Sequence, residues 1–108
     1  MRLEPDTIYE KLVTLGDEWA DHYAAAEIME ETKKTLLAEL MLSSLEKSQA
    51  AKETWALAQD QYKDHISRMV TAKRSANKAK VKYDSAKVWS ELKRTEAANL
   101  RATMKEAI

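Results

Sequence analysis

YKDHISRMVTAKRSANKAKVKYDSAKVWSELKRTEAANLRATM, running from Tyr62 to Met104, is the stretch that decides the fold. It contains neither Gly nor Pro and is rich in Ala, Lys, Glu, Leu and Arg, the residues that give up least on entering a helix. Tyr62, Met69, Ala76, Tyr83, Ser90, Ala97 and Met104 stand seven residues apart. His65, Ala72, Ala79, Ala86, Lys93 and Leu100 make a second line three positions on. Two such lines are the a and d seams of a helix that packs lengthwise on another helix. The Ala on both lines allows the two axes to approach closely.

Upstream, the same spacing continues. The only Pro is Pro5 and the only Gly is Gly16. From Ile8 a seam reads Ile8, Leu12, Leu15, Trp19, His22, Ala26, Met29, Lys33, Leu36 and Leu40, in alternating steps of four and three. Gly16 lies off that seam. Asp6 or Thr7 suits a helix cap, with Glu10 three residues after Thr7 in capping-box spacing. The weakest helical points are Ser43–Ser44, Ser48–Gln49 and Gln59–Asp60–Gln61. A turn near 58–61, with Asp60 as cap, divides the chain into arms of about 6–58 and about 60–107. A further break near 44–48 splits the first arm and gives three helices. The expected fold is all-α: an elongated antiparallel helical hairpin or coiled coil forming a single domain over 1–108.

With 108 residues, no Phe and many Ala, such a hairpin has little to bury, which predicts completion of the core by a homodimer. Cys is absent, so disulfides and thiolate metal sites are excluded. The apolar cluster Leu36 to Leu45 is interrupted by Glu39 and Ser43 and is too short to span a bilayer. Met1 and Arg2 lead into Glu4, Pro5 and Asp6 with no apolar signal core, so a soluble cytoplasmic protein without a membrane partner is expected.

Net charge is zero but unevenly placed. Residues 1–31 hold nine acids and two bases, while residues 60–108 hold twelve bases and six acids. Lys73, Lys80, Lys87, Arg94 and Arg101 stand one heptad apart, a stripe of about 42 Å on a straight helix. No acid interrupts residues 73–83, which add Arg74, Lys78 and Lys82. A chain folded back near residue 59 would set Lys73–Lys82 opposite residues 36–45, where Glu39 is the single acid. The stripe would then stay largely unneutralised and free to contact phosphates. The simpler alternative is a solvated flank whose Lys stems cover the Ala seam.

Other chemistry is thin. Glu18 and His22 stand four apart, close to Asp21, Glu27, Glu30 and Glu31, but neither His22 nor His65 has the Glu three residues earlier that di-iron bundles use. A packed His22 is the better expectation. Glu27, Glu30 and Glu31 suggest the Glu-x-x-Glu start of all-α nucleotide pyrophosphohydrolases, yet the second Glu-x-x-Asp is missing. No Gly-rich phosphate loop or nucleophile–base–orienter set is present. The sequence therefore predicts no catalytic residue, metal or cofactor. Trp19, Trp55 and Trp89 fall one in each third of the chain and read as core or subunit contacts, with Tyr23 on the face of Trp19.

The words Ala76-Asn77-Lys78-Ala79-Lys80-Val81-Lys82-Tyr83-Asp84 and Arg94-Thr95-Glu96-Ala97, with the acidic Asp17-Glu18-Trp19-Ala20-Asp21, resemble a group of small all-helical proteins of tailed bacteriophages. The resemblance covers most of the chain. It implies a non-enzymatic accessory role in phage DNA recombination or replication, in the host cytoplasm, and carries over no site residue. The contacts expected for such a role are Lys73, Arg74, Lys78, Lys80, Lys87, Arg94 and Arg101, on nucleic acid or on a DNA-processing protein. The alternative is a protein-interaction module that inhibits or adapts a host enzyme, its contact surface being Glu10, Asp17, Asp21, Glu27 and Glu31.

Overall fold

Pro5 is already helical in the computed structural model, which describes residues 5–106. Three helices follow: α1 (Pro5–Ser43), α2 (Gln49–Leu57) and α3 (Asp60–Glu106). There is no strand among the described residues. Asp6 and Thr7 therefore lie within α1 and not at its cap.

The Ser-rich points break the chain as expected. The Ser43 hydroxyl turns back to the Glu39 carbonyl, and Ser44 accepts from the Glu46 N–H with its hydroxyl at 3.1 Å. Both contacts offer the backbone an alternative to the next helical turn. Ser48 then caps α2 from an extended conformation, its Oγ accepting from the Ala51 N–H at 3.1 Å. At the far end Gln59 joins two helices. Its side-chain amide donates to the Trp55 carbonyl at 2.9 Å, and its own carbonyl accepts from the N–H groups of Tyr62 and Lys63. Gln59 thus holds the position that begins α3. Asp60, expected as the cap, is the first helical residue, with its charge in the turn where the helix dipole favours an acid.

α1 and α3 run antiparallel and pack along their length, while α2 lies mainly against the end of α1. Three contacts fix the register. His65 Nε2 lies 2.8 Å from the Met29 carbonyl, Lys73 pairs with Glu30, and the Tyr83 ring sits against Gly16 and Trp19. Lys73–Lys82 consequently lie opposite roughly residues 21–30, and not opposite 36–45. The cause is α2. Residues 44–59 turn the corner instead of extending the first arm, which moves the pairing by about four helical turns.

Nine of the ten α1 seam residues are buried or half-buried; His22 is exposed. The Tyr83 ring on the Gly16 side draws the contact line of α1 toward Gly16 and Glu30 and away from His22. Gly16, expected off the seam, is half-buried beneath that ring. On α3 both seam lines are covered from Tyr62 to Ser90, and every residue from 91 to 106 is exposed.

The buried set is Ala26, Leu40, Ala56, Met69, Ala76 and Ala79, and four of these six are Ala. The molecule is correspondingly thin, 87 × 20 × 17 Å, with a radius of gyration of 24.0 Å. A compact chain of this length has a radius near ~13 Å. It exposes 8691 Å², against about 6,100 Å² for a compact monomer of this mass.

Candidate functional site

α1 carries nine acids against three bases, and α3 twelve bases against six acids. The hairpin therefore sets a −6 helix beside a +6 helix. In an antiparallel pair, like flanking heptad positions face each other. The α3 stripe faces the α1 row Tyr9, Gly16, Tyr23 and Glu30, in which only Glu30 is acidic.

At the head of the stripe Lys73 Nζ is 2.6 Å from Glu30 Oε2, and Lys33 Nζ is 3.2 Å from Glu30 Oε1. Lys73 and then Lys33 hold the Glu30 carboxyl below its ordinary value, outweighing the opposing effect of desolvation. One heptad on, Lys80 Nζ stands 6.0 Å over the Trp19 ring, which in turn packs on Tyr83 with centroids 5.6 Å apart. Lys87, Arg94 and Arg101 are exposed, and no acid lies within salt-bridge distance of them among the described residues. Along this edge Tyr23, Glu30, Lys73 and Asn77 line a groove of about 290 Å³. The neighbouring Glu27 raises the Tyr23 phenol above its ordinary value, first through a hydrogen bond and then through its charge. Tyr9 and Tyr23 are 69% and 55% exposed, so both offer ring faces to solvent beside the stripe.

Among the expected basic residues, Lys73, Arg74 and Lys78 line one depression, and Lys80, Lys87, Arg94 and Arg101 continue the heptad row of Lys73. Lys73, Lys80, Lys87, Arg94 and Arg101 follow the Glu30 edge. Arg74 lies on the outer ridge of α3, and Lys78 with Lys82 falls toward the opposite edge. Val70, Lys73, Arg74, Asn77, Lys78, Val81 and Lys82 line a shallow open depression of about 640 Å³ on the outer side of α3, which thus begins at the head of the stripe. The expected acids also divide. Glu10, Asp17 and Glu31 share the outer ridge of α1, Asp21 lies on the side away from the stripe, and Glu27 lies beside it; all five are exposed.

Tyr9 and Tyr23 were not among the expected site residues. Their signal is their heptad position on α1, which becomes informative only once the register is known. Trp89, expected to be a packing residue, is 39% exposed with Lys93 Nζ 5.8 Å over its ring. Among the described residues no three His, Asp or Glu side chains are grouped to hold a metal ion, and no helix is long and apolar enough to cross a membrane.

Compared with family models, with curated proteins and with solved structures, the chain matches none.

Proposed function

We propose that the protein is a non-enzymatic accessory factor that binds nucleic acid without sequence preference along the Lys73–Arg101 edge. The observation that carries this reading is the mismatch across that edge. Of the five stripe cations only Lys73 has an ion-pair partner, Glu30, leaving Lys80, Lys87, Arg94 and Arg101 without one among the described residues. Phosphate contact along such a stripe is electrostatic, and the four unpaired cations, each neutralising one phosphate, give a slope of about −4 in log affinity against log salt on duplex DNA. Tyr9 and Tyr23 add exposed rings beside the cations, the combination that suits stacking of unpaired bases. The resemblance to tailed-phage proteins supports placing this activity in DNA recombination or replication.

The test is fluorescence anisotropy with labelled single- and double-stranded DNA from low to physiological salt. Lys80, Lys87, Arg94 and Arg101 replaced by Glu should abolish binding with helix content unchanged. Lys73 is left intact because it holds the helix register through Glu30. Undiminished binding by that variant would overturn the assignment.

A protein-interaction role is the second reading, favoured by the exposed acidic ridge of Glu10, Asp17 and Glu31. Binding to a DNA-processing protein, with no affinity for DNA at low salt, would select it.

A further inference from the structure

The stripe has two flanks, and along its unpaired length neither is basic. On the α1 side, the heptad count from Glu30 and Lys73 sets Tyr23 opposite Lys80, Gly16 opposite Lys87 and Tyr9 opposite Arg94. Val13 and Ala20 lie beside this row and are exposed, so from Tyr9 to Tyr23 the surface next to the cations carries no charge. Beyond it stands the α1 ridge with Glu10 and Asp17, both exposed, and Glu27 closes the row after Tyr23. On the other flank, away from α1, Asp84 and Glu91 are exposed on α3 itself. Only at the head of the stripe, where Lys73, Arg74 and Lys78 share the depression, do cations stand side by side.

We infer that the ligand of this edge is single-stranded nucleic acid, a reading that rests on the phosphate contact proposed above and narrows it. The strand lies with its phosphates on Lys80, Lys87, Arg94 and Arg101 and its bases turned over the α1 row between Tyr9 and Tyr23.

Charge disfavours the duplex. Its two backbones are separated by grooves about 6 and 12 Å wide, and packed helix axes lie about 8–10 Å apart. With one backbone on the stripe, the second falls over α1 toward Glu10 and Asp17, or outward over Asp84 and Glu91. Like charges meet either way. A single strand has one backbone, and the edge has one row of unpaired cations for it, spanning about 32 Å from Lys80 to Arg101. The bases of such a strand need a surface that is uncharged and offers ring faces. Tyr9 and Tyr23, 69% and 55% exposed, stand two heptads apart, about 21 Å along α1, on the strip that meets both conditions. Stacking there is tolerant of base identity, because every base has a π face.

The experiment is fluorescence anisotropy of the full chain with three labelled probes of equal length: a mixed-sequence single strand, the same strand annealed to its complement, and an abasic strand that keeps the backbone charge. The single strand should bind at least about tenfold more tightly than the duplex or the abasic strand. Its salt slope should be about −3, the value for four phosphates on a single strand. Tyr9→Ala with Tyr23→Ala should lower single-strand affinity about tenfold per ring and remove the preference. Tyr9→Phe with Tyr23→Phe, which keeps both rings, should retain it. Both positions are exposed, so circular dichroism should show the same helix content in every variant. Duplex bound as tightly as the single strand would overturn the inference, and so would full single-strand affinity in the alanine variant. Either result leaves the phosphate reading standing as long as charge reversal at Lys80, Lys87, Arg94 and Arg101 abolishes binding. Failure of the wild-type chain to bind any probe at low salt would remove both.

Discussion

α3 is two stretches written in one pattern. From Tyr62 to Ser90 both seam lines lie against α1; from residue 91 to 106 the lines continue through Lys93, Ala97, Leu100 and Met104, and every one of these residues is exposed. The two stretches show that a heptad pattern specifies a helix and the face it will offer, whereas the reach of the partner is set elsewhere. In this molecule it is set at the tip, where α2 consumes the residues that would otherwise have lengthened the first arm.

The sharpest way to break the comparison is to place one charge at equivalent seam positions. Ala76 is buried at the close approach of the two helices, where a carboxylate would be taken out of water on the side of Glu27 and Glu30. Ala76→Asp should cost about 3 kcal/mol or more and unfold much of the population. Ala97→Asp, three heptads on and exposed, should change stability by no more than about 0.5 kcal/mol. Urea titrations followed by circular dichroism measure both. Equal losses would mean that the last stretch is also part of a packed core.

A smaller effect comes from deleting volume at the same two kinds of position. Met69 is 7% exposed and Met104 is 60% exposed, and both belong to the Tyr62 line. Met69→Ala should cost about 2–3 kcal/mol, through lost transfer energy and an incompletely collapsed cavity. Met104→Ala should lie within about 0.5 kcal/mol of wild type. Hydrogen exchange should follow the same division, with slow amides through Ser90 and fast ones beyond.

Much of this was legible in the sequence. The helical class, the hairpin, both α3 seam lines and the Ser-marked breaks follow from spacing and from residues whose side chains compete for backbone hydrogen bonds. The register was not legible. It depends on whether residues 44–59 extend an arm or turn a corner, and three long-range contacts decide it: His65 with Met29, Glu30 with Lys73, and Tyr83 with Gly16. None has a local signature. The same contacts explain the two misplaced seam residues, since the Tyr83 ring selects Gly16 as its seat and leaves His22 in solvent. The site followed the register. Five cations in line were visible at once, but the Tyr row beside them required knowing which residues of α1 lie opposite.

Gly16 offers a finer test of that seat. A Cβ built there would lie 3.4 Å and 3.7 Å from two Tyr83 ring carbons, ordinary contact and not a clash. Gly16→Ala should therefore stabilise the hairpin by about 1 kcal/mol, because Ala loses less conformational freedom on entering a helix. Gly16→Leu should do the reverse by displacing the ring. Thermal melts of the two variants in opposite directions would confirm the close approach. Stabilisation by both would show that Tyr83 does not need the space.

The smallest expected effect is the most specific to the register. Glu30 has an ordinary value of 4.5, and in the folded chain Lys73 and Lys33 hold it lower. The folded state therefore favours the carboxylate. Its contribution is fully present above the ordinary value and is lost as pH falls through the lowered folded value. Melting temperature should fall over that acid window, beyond the decline from the other carboxylates. Glu30→Gln should flatten this part of the profile while leaving the neutral and alkaline limbs parallel to wild type. Because the group is near the surface, the change is a modest one of slope. Lys73→Met should flatten the same window, since Lys73 is the larger of the two influences. Arg94→Met, on the same stripe but opposite no acid in the α1 row, should not. If Lys73→Met left the acid limb unchanged, Glu30 would be held by Lys33 alone, within α1, and the pair would say nothing about how α3 is aligned.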